Sequence, residues 1–225
     1  VILAGGLGTR LRQVVSDVPK PMAPIFGKPF LAHQMDHWIR KGVDGFIVSV
    51  GHLRGVIIDY FGDGYGGVPV TYAVEEEPLG TGGGLLLALE HLGGDKPFLL
   101  LNGDTYFDVD LSGMRQLHEQ KKAGVTFGLF RATEAGRFGG IEMDSSLRIT
   151  SFSSGKAEVG QLANGGVYVI DPAALLGFDR QAGEKVSFED DILPRLFAEG
   201  VPFCGLESPG RFVDIGIPSD YASAS

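Results

Sequence analysis

Val1-Ile2-Leu3-Ala4-Gly5-Gly6-Leu7-Gly8-Thr9-Arg10-Leu11 opens the chain and decides its reading. Val1–Ala4 is a short apolar run that reads as a strand, and glycines follow where that strand ends. Glycines in a strand-to-helix loop let backbone N–H groups converge on phosphate oxygens. The loop is not a Walker A sequence, because no Gly-Lys-Ser/Thr follows. Nor is it a dinucleotide fingerprint, because Leu11 stands where the third glycine belongs. It carries Arg10 instead, whose planar fork suits phosphoryl oxygens. Further on, Pro19-Lys20-Pro21 sets one lysine between two residues of fixed φ.

Outward from this loop, short apolar runs alternate with helical patterns. Strands are expected at Val1–Ala4, Gly45–Val50, Pro69–Val74 and Pro97–Leu101, and helices at Phe30–Lys41, Leu53–Phe61 and Thr81–Leu92. Leu31, Met35, Trp38 and Ile39 recur at helical spacing, and Gly42 follows the basic Arg40-Lys41 end. Such alternation implies a parallel sheet with helices on both faces, and ligands then sit beyond the carboxyl ends of the strands. Glycine-rich segments fall at those ends, after Ala4, Val74 and Leu101. From Val125 the pattern changes to shorter strands, Val125–Arg131, Gly140–Met143, Arg148–Phe152 and Gly166–Ile170. A helix Phe188–Glu199, a strand Val201–Leu206 and a strand through Arg211–Val213 follow. The expected class is α/β: a mostly parallel central sheet plus a strand-rich lobe, in one domain over 1–225 with halves 1–124 and 125–225.

Composition narrows the function. At 225 residues the chain buries about 70% of its unfolded surface. With 44% hydrophobic and 21% charged residues it is not a disordered chain. No apolar run approaches the ~18 residues of a membrane span, and Val1–Ala4 is too short for a signal peptide. A cytoplasmic protein is expected. One cysteine, Cys204, excludes an internal disulfide and a cysteine-built zinc site. The net charge of −9 argues against a nucleic-acid or anionic-membrane partner. Glycine is the outlier, at 35 residues about twice the average share of ~7%. Trp38 and Cys204 read as core residues, and His33 and His37 share a helix face without a metal pattern.

Taken together, these motifs resemble the nucleoside-triphosphate sugar-1-phosphate nucleotidylyltransferases. The family's leading motif stands here as Leu3–Leu11 with Lys20-Pro21. The likeness continues through Glu75-Glu76-Glu77-Pro78-Leu79-Gly80-Thr81-Gly82-Gly83, Asn102-Gly103-Asp104, Asn164-Gly165-Gly166 and Val213-Asp214-Ile215-Gly216-Ile217-Pro218. Within the family, Asp17–Pro24 and Glu75–Gly83 are most similar to the heptose 1-phosphate guanylyltransferases. The resemblance implies a Rossmann-like nucleotidyltransferase fold whose strand-rich lobe binds sugar. It implies transfer of a nucleoside monophosphate from an NTP, GTP first, to a sugar 1-phosphate, D-glycero-D-manno-heptose 1-phosphate first. Mannose 1-phosphate with GTP and N-acetylmuramate 1-phosphate with UTP stand as alternatives, as does a non-catalytic, nucleotide-sugar-sensing regulatory subunit. No hexapeptide-repeat appendage is visible, and a homo-oligomer is left open.

The resemblance also assigns residues. Arg10, Lys20 and Asp104 are the catalytic set, and Asp104 and Asp214 the Mg²⁺ ligands; magnesium needs only one or two carboxylates besides substrate phosphates. Leu3, Ala4, Gly5, Gly6, Gly8, Thr9, Arg10, Lys20, Glu75, Pro78, Gly80 and Thr81 hold the nucleotide. Glu75 is the base reader: a carboxylate accepts from the N1–H and N2 edge of guanine, but also from the N3–H of uracil. The start of the Thr81 helix adds a field that favours anions. Gly140, Lys156, Asn164 and Gly165 are assigned to the sugar phosphate. Phe152-Ser153-Ser154-Gly155-Lys156 is one residue longer than the family's Phe-x-Glu-Lys-Pro element. Arg137-Phe138-Gly139-Gly140 departs from its Tyr-Gly form.

Overall fold

A computed structural model describes residues 1–6, 8, 11, 15, 17–178 and 184–224, with 153–156 as backbone only. The first half runs β1 (Ile2–Leu3), β2 (Pro24–Ile25), β3 (Lys28–Pro29), α1 (Phe30–Arg40), β4 (Phe46–Val50), α2 (Arg54–Phe61), β5 (Gly64–Tyr65), β6 (Val68–Val74), α3 (Gly80–Leu89) and β7 (Phe98–Asn102). β1 lies parallel to β4 and β7, and β4 lies parallel to β6. Side chains alternate across a strand. Ile2 and Leu101 therefore enter one apolar cluster, while their neighbours Leu3 and Leu100 enter another. α1 covers the first face with Leu31, Met35 and Trp38. α3 covers the second with Leu85 and Leu86.

The rest of the chain comprises β8 (Thr105–Phe107), α4 (Leu111–Lys121), β9 (Val125–Arg131), β10 (Gly139–Met143), β11 (Ile149–Lys156), β12 (Leu162–Ile170), α5 (Leu193–Ala198), β13 (Phe203–Glu207), β14 (Phe212–Asp214) and α6 (Pro218–Ala224). It continues the first sheet. β12 runs antiparallel to β7, pairing Val167 with Leu101, and the combined sheet has ten strands. The sheet is parallel through β7, β1, β4 and β6, and mainly antiparallel where β9, β10, β11 and β12 extend it. Among the described residues no helix is long and apolar enough to cross a membrane.

Three departures from the sequence pattern have local causes. α4 is stabilised by a cap, the Asp110 carboxylate accepting from Gly113 N–H at 3.0 Å, more than by an apolar stripe. The expected helix Phe188–Glu199 splits into a π-helical turn, Phe188–Ile192, followed by α5. Pro194 has no N–H to continue the ladder, and Ile192 N–H reaches back five residues to Ser187 O at 3.1 Å. β12 begins at Leu162, ahead of the expected Gly166. Asn164-Gly165-Gly166 is an irregularity within the strand, with Gly166 at φ +69°.

A second, two-stranded ladder sets the site. β8 and β14 pair antiparallel with Thr105 opposite Asp214, and Ile215 N–H donates to Asp104 O at 3.0 Å. Two aspartates far apart in sequence are thereby brought to one edge of the cleft.

Candidate active site

A cavity of about 440 Å³ opens at the carboxyl ends of β1, β4, β6 and β7. Leu3, Ala4, Gly5, Gly6, Gly8, Lys20, Glu75, Pro78, Gly80, Thr81 and Asp104 all line it. Thr9 and Arg10 lie outside the described residues. Glycine is required by contact here. A methyl on Gly5 would overlap the Glu75 carboxylate, and one on Gly80, at φ +77°, would stand 2.5 Å from Val186 O.

Glu75 is only 6% exposed and holds two structural hydrogen bonds. Ser49 Oγ–H donates to its Oε1 at 2.6 Å, and Leu79 N–H donates to its Oε2 at 3.1 Å. The side chain therefore fixes the Pro78–Gly80 loop against β4 while lining the cavity. Thr81 differs from the expectation. Its hydroxyl spends its one proton on Glu189 Oε2 at 2.7 Å and accepts from Phe188 N–H at 2.8 Å. The start of α3 also differs, because the N–H groups of Gly82 and Gly83 already donate to Val186 O at 2.8 and 3.2 Å. That carbonyl uses part of the anion-favouring field expected there. Thr81 and Gly80 line the cavity and at the same time seal it to the second half.

Lys20 begins a short 3-10 turn, Lys20–Met22, and forms an ion pair with Asp104. Gln34, 1% exposed on α1, donates to Asn102 O at 2.8 Å and to Thr105 O at 2.6 Å. Those carbonyls flank Asp104, so one amide clamps the turn that carries it. Gln34 sits at helical spacing within the Leu31–Trp38 apolar stripe, and a polar residue there was the signal available in the sequence. Asp214 Oδ1 accepts from Gly216 N–H at 2.6 Å, and its Oδ2 faces Arg137 Nη2 at 3.3 Å.

A second cavity, about 520 Å³, adjoins the first and shares Asn102, Asp104 and Gly216 with it. Asn164 lines it, but its amide is engaged internally, donating to the Tyr168 hydroxyl at 2.7 Å and accepting from Gly166 N–H at 3.1 Å. Gly165 is absent from the lining and lies against the Phe107 ring; Gly166 takes the place expected for it. The same one-residue offset places Gly139, not Gly140, in the wall. Lys156 ends β11 with its backbone opposite Gly139, and its side chain lies outside the described atoms. Glu189 and Asp190, unassigned from sequence, also line this cavity, as does Arg137. They sit in an acidic run, Glu189-Asp190-Asp191, that reads in sequence as the start of an ordinary helix.

His33 and His37 make separate packing contacts. His33 Nε2 contacts Ile25 O at 2.8 Å and His37 Nδ1 the Tyr106 hydroxyl at 3.0 Å, so the two do not converge. Burial pushes His37 down to about 4. Cys204 is fully buried, and burial raises its thiol.

Comparison with known proteins agrees with this geometry. The chain is 41% identical to a D-glycero-alpha-D-manno-heptose 1-phosphate guanylyltransferase of Aneurinibacillus thermoaerophilus, over 100% of this chain and 95% of that protein. It is 36% identical to the protein of the same name from Campylobacter jejuni, over 98% and 96% of the two chains. The crystal structure of HddC from Yersinia pseudotuberculosis complexed with GMP-PN superposes with a TM-score of 0.84 at 32% identity, covering 99% of this chain and 96% of that one. A putative glucose-1-phosphate thymidylyltransferase of Bacillus anthracis, 22% identical with a TM-score of 0.83, shares the fold. Residues 1–225 match the nucleotidyl transferase family throughout, and the chain belongs to that family.

Proposed function

We propose that this chain transfers GMP from GTP to D-glycero-α-D-manno-heptose 1-phosphate, releasing pyrophosphate and forming a nucleotide sugar. The observation that carries the reading is the pair of adjoining cavities that meet at Asp104. One has glycine walls suited to a nucleotide, and the other has polar walls suited to a sugar. The base and sugar are those named for the relatives most similar over the full chain.

The reaction forms one P–O bond, between a sugar phosphate oxygen and the α-phosphorus, and breaks the α–β anhydride, whose electron pair leaves with pyrophosphate. A phosphate monoester has a second pKa of about 6, so the nucleophile is largely dianionic at neutral pH and needs no general base. The protein's task is to position two anions and offset their repulsion. Lys20, and Arg10 from the glycine loop, supply fixed positive charge. Glu75 reads the base edge from a carboxylate held by Ser49 and Leu79. Asp104 and Asp214 offer hard carboxylate oxygens at the junction, a donor set that fits Mg²⁺. Magnesium held there supplies charge neutralisation on the phosphates. Lys20 pairs with Asp104 and Arg137 with Asp214, so each carboxylate already has a cation beside it.

Pyrophosphate release tests the reading on a grid of nucleoside triphosphates against heptose, mannose, glucose, N-acetylglucosamine and N-acetylmuramate 1-phosphates. The expected maximum is GTP with the heptose. A maximum at mannose 1-phosphate, or at UTP with N-acetylmuramate 1-phosphate, would reassign the substrates. A blank grid from folded, nucleotide-binding protein would point to the regulatory-subunit reading.

A further inference from the structure

The cavity assigned above to the sugar phosphate has the wrong sign of charge for an anion. Its lining carries four carboxylates, Asp104, Glu189, Asp190 and Asp214, against one cation among the described residues, Arg137. A phosphate monoester brings a further charge of about −1.5 to −2 at neutral pH. Beside the Lys156 and Mg²⁺ assigned above, a cation in this wall would meet that charge.

Arg137 is placed to do so. It stands two residues before β10, and its guanidinium carbon lies 4.8 Å from the centre of the Phe138 ring. That ring packs edge-on to Phe130 and Phe212, which stack on each other at 4.0 Å. The base of the arm is thus anchored in an aromatic cluster, while the guanidinium, in a side chain 21% exposed, reaches the cavity. The guanidinium is shared among Asp214 at 3.3 Å, Glu134 at 3.6 Å and Asp220 of α6. Asp214 ends β14 and Asp220 lies in α6, so the group that lines the cavity is tied to both elements. Five N–H donors in a planar fork can hold a phosphate bidentately while keeping one carboxylate partner.

We propose that Arg137 is a sugar-phosphate-binding residue of this chain, with Asp220 as the carboxylate that holds its guanidinium at the cavity. The proposal rests on the transferase reading above. In it, Arg137 exchanges its contact with Asp214 for phosphate oxygens and retains Asp220. The exchange also frees Asp214 Oδ2 from its contact with the guanidinium.

The test compares Arg137→Gln and Arg137→Lys with the parent chain. Steady-state KM is measured for each substrate, and Kd for heptose 1-phosphate is measured by calorimetry without nucleotide. Loss of a charge-assisted bidentate contact is expected to raise the sugar-phosphate KM and Kd about 10- to 100-fold, with the NTP KM within about twofold. Arg137→Lys keeps the charge but loses the fork, and should recover only part of the loss. It also serves as the working variant if Arg137→Gln does not fold. Unchanged KM and Kd for the sugar phosphate, or a fall in kcat alone, in an active enzyme would overturn the proposal and leave the transferase reading standing. Arg137-dependent binding in a chain without transferase activity would instead support the site and remove the activity. Absence of both binding and turnover in the parent chain would overturn both.

Discussion

The two cavities meet at one aspartate, yet they are built from different materials. The cavity proposed for the nucleotide leans on backbone: Leu3 to Gly6 and Gly80 line it closely, and Gly5 leaves no space for a methyl against Glu75. The cavity proposed for the sugar leans on side chains, with four carboxylates, Arg137 and a wall of Phe127, Phe138, Phe152 and Phe212. A triphosphate is common to many substrates, and fixed N–H groups serve it without regard to what is attached. A sugar must be told from other sugars, and side chains can be exchanged one at a time without rebuilding the sheet. A backbone-built wall gives reach to the phosphates at the cost of tolerance; a side-chain wall retains tolerance and carries the selectivity.

This contrast can be broken by substitution. The largest effect is expected at the junction. Lys20→Ala should lower kcat/KM about 10²- to 10³-fold, in the range for removing one group that stabilises transition-state charge. It should do so with every sugar phosphate tested, and a loss confined to one sugar would place Lys20 in the sugar cavity alone. Next is Glu75→Gln. The amide places an N–H₂ where either the Ser49 hydroxyl or Leu79 N–H now donates. The NTP KM should rise by about 10-fold, from loss of a hydrogen bond to a charged group, while the sugar-phosphate KM stays unchanged. Equal rises in both would show that Glu75 supports the whole cleft and not the base end.

Two glycine substitutions then sharpen the difference in materials. Gly5→Ala should destabilise the fold by about 1–3 kcal/mol in denaturant unfolding, because the new methyl overlaps the Glu75 carboxylate. Gly140→Ala should stay within about 0.5 kcal/mol, since its methyl would meet Gln161 Oε1 at an ordinary 3.5 Å. The smallest effect concerns pH. Burial holds His37 neutral down to about 4, against 6.5 in the unfolded chain. The unfolded state therefore binds the extra proton first. Stability from this group is complete above pH 6.5 and declines as pH falls from there toward 4. His118, also lowered by burial, acts in the same direction. His37→Gln should flatten the slope of melting temperature with pH across that window.

What was legible in the sequence follows the same division. The parallel strands, and the gathering of Gly5, Gly6, Gly8, Lys20, Glu75 and Asp104 around one cavity, were readable because glycines at strand exits and cations at fixed offsets leave a local signature. The lining of the second cavity falls one residue from Gly140 and Gly165, because a bulge in β12 and the register shift at β10 move side chains between faces. Gln34 was hidden in an apolar stripe, and its role depends on carbonyls far along the chain. Glu189 and Asp190 resembled a helix start, and only the π-helical turn before Pro194 brings Glu189 to the Thr81 hydroxyl.

The ladder between β8 and β14 has a consequence for how the enzyme comes into being on the ribosome. β1, β4, β6 and β7, with the helices between them, emerge first and can begin to pair in parallel. Asp104 emerges with them, but its companion Asp214 arrives only after β9 to β13 have been synthesised. Contacts of such wide sequence separation form late. A half-translated chain thus carries Asp104 without Asp214, and the start of α3 without the Val186 carbonyl that holds it.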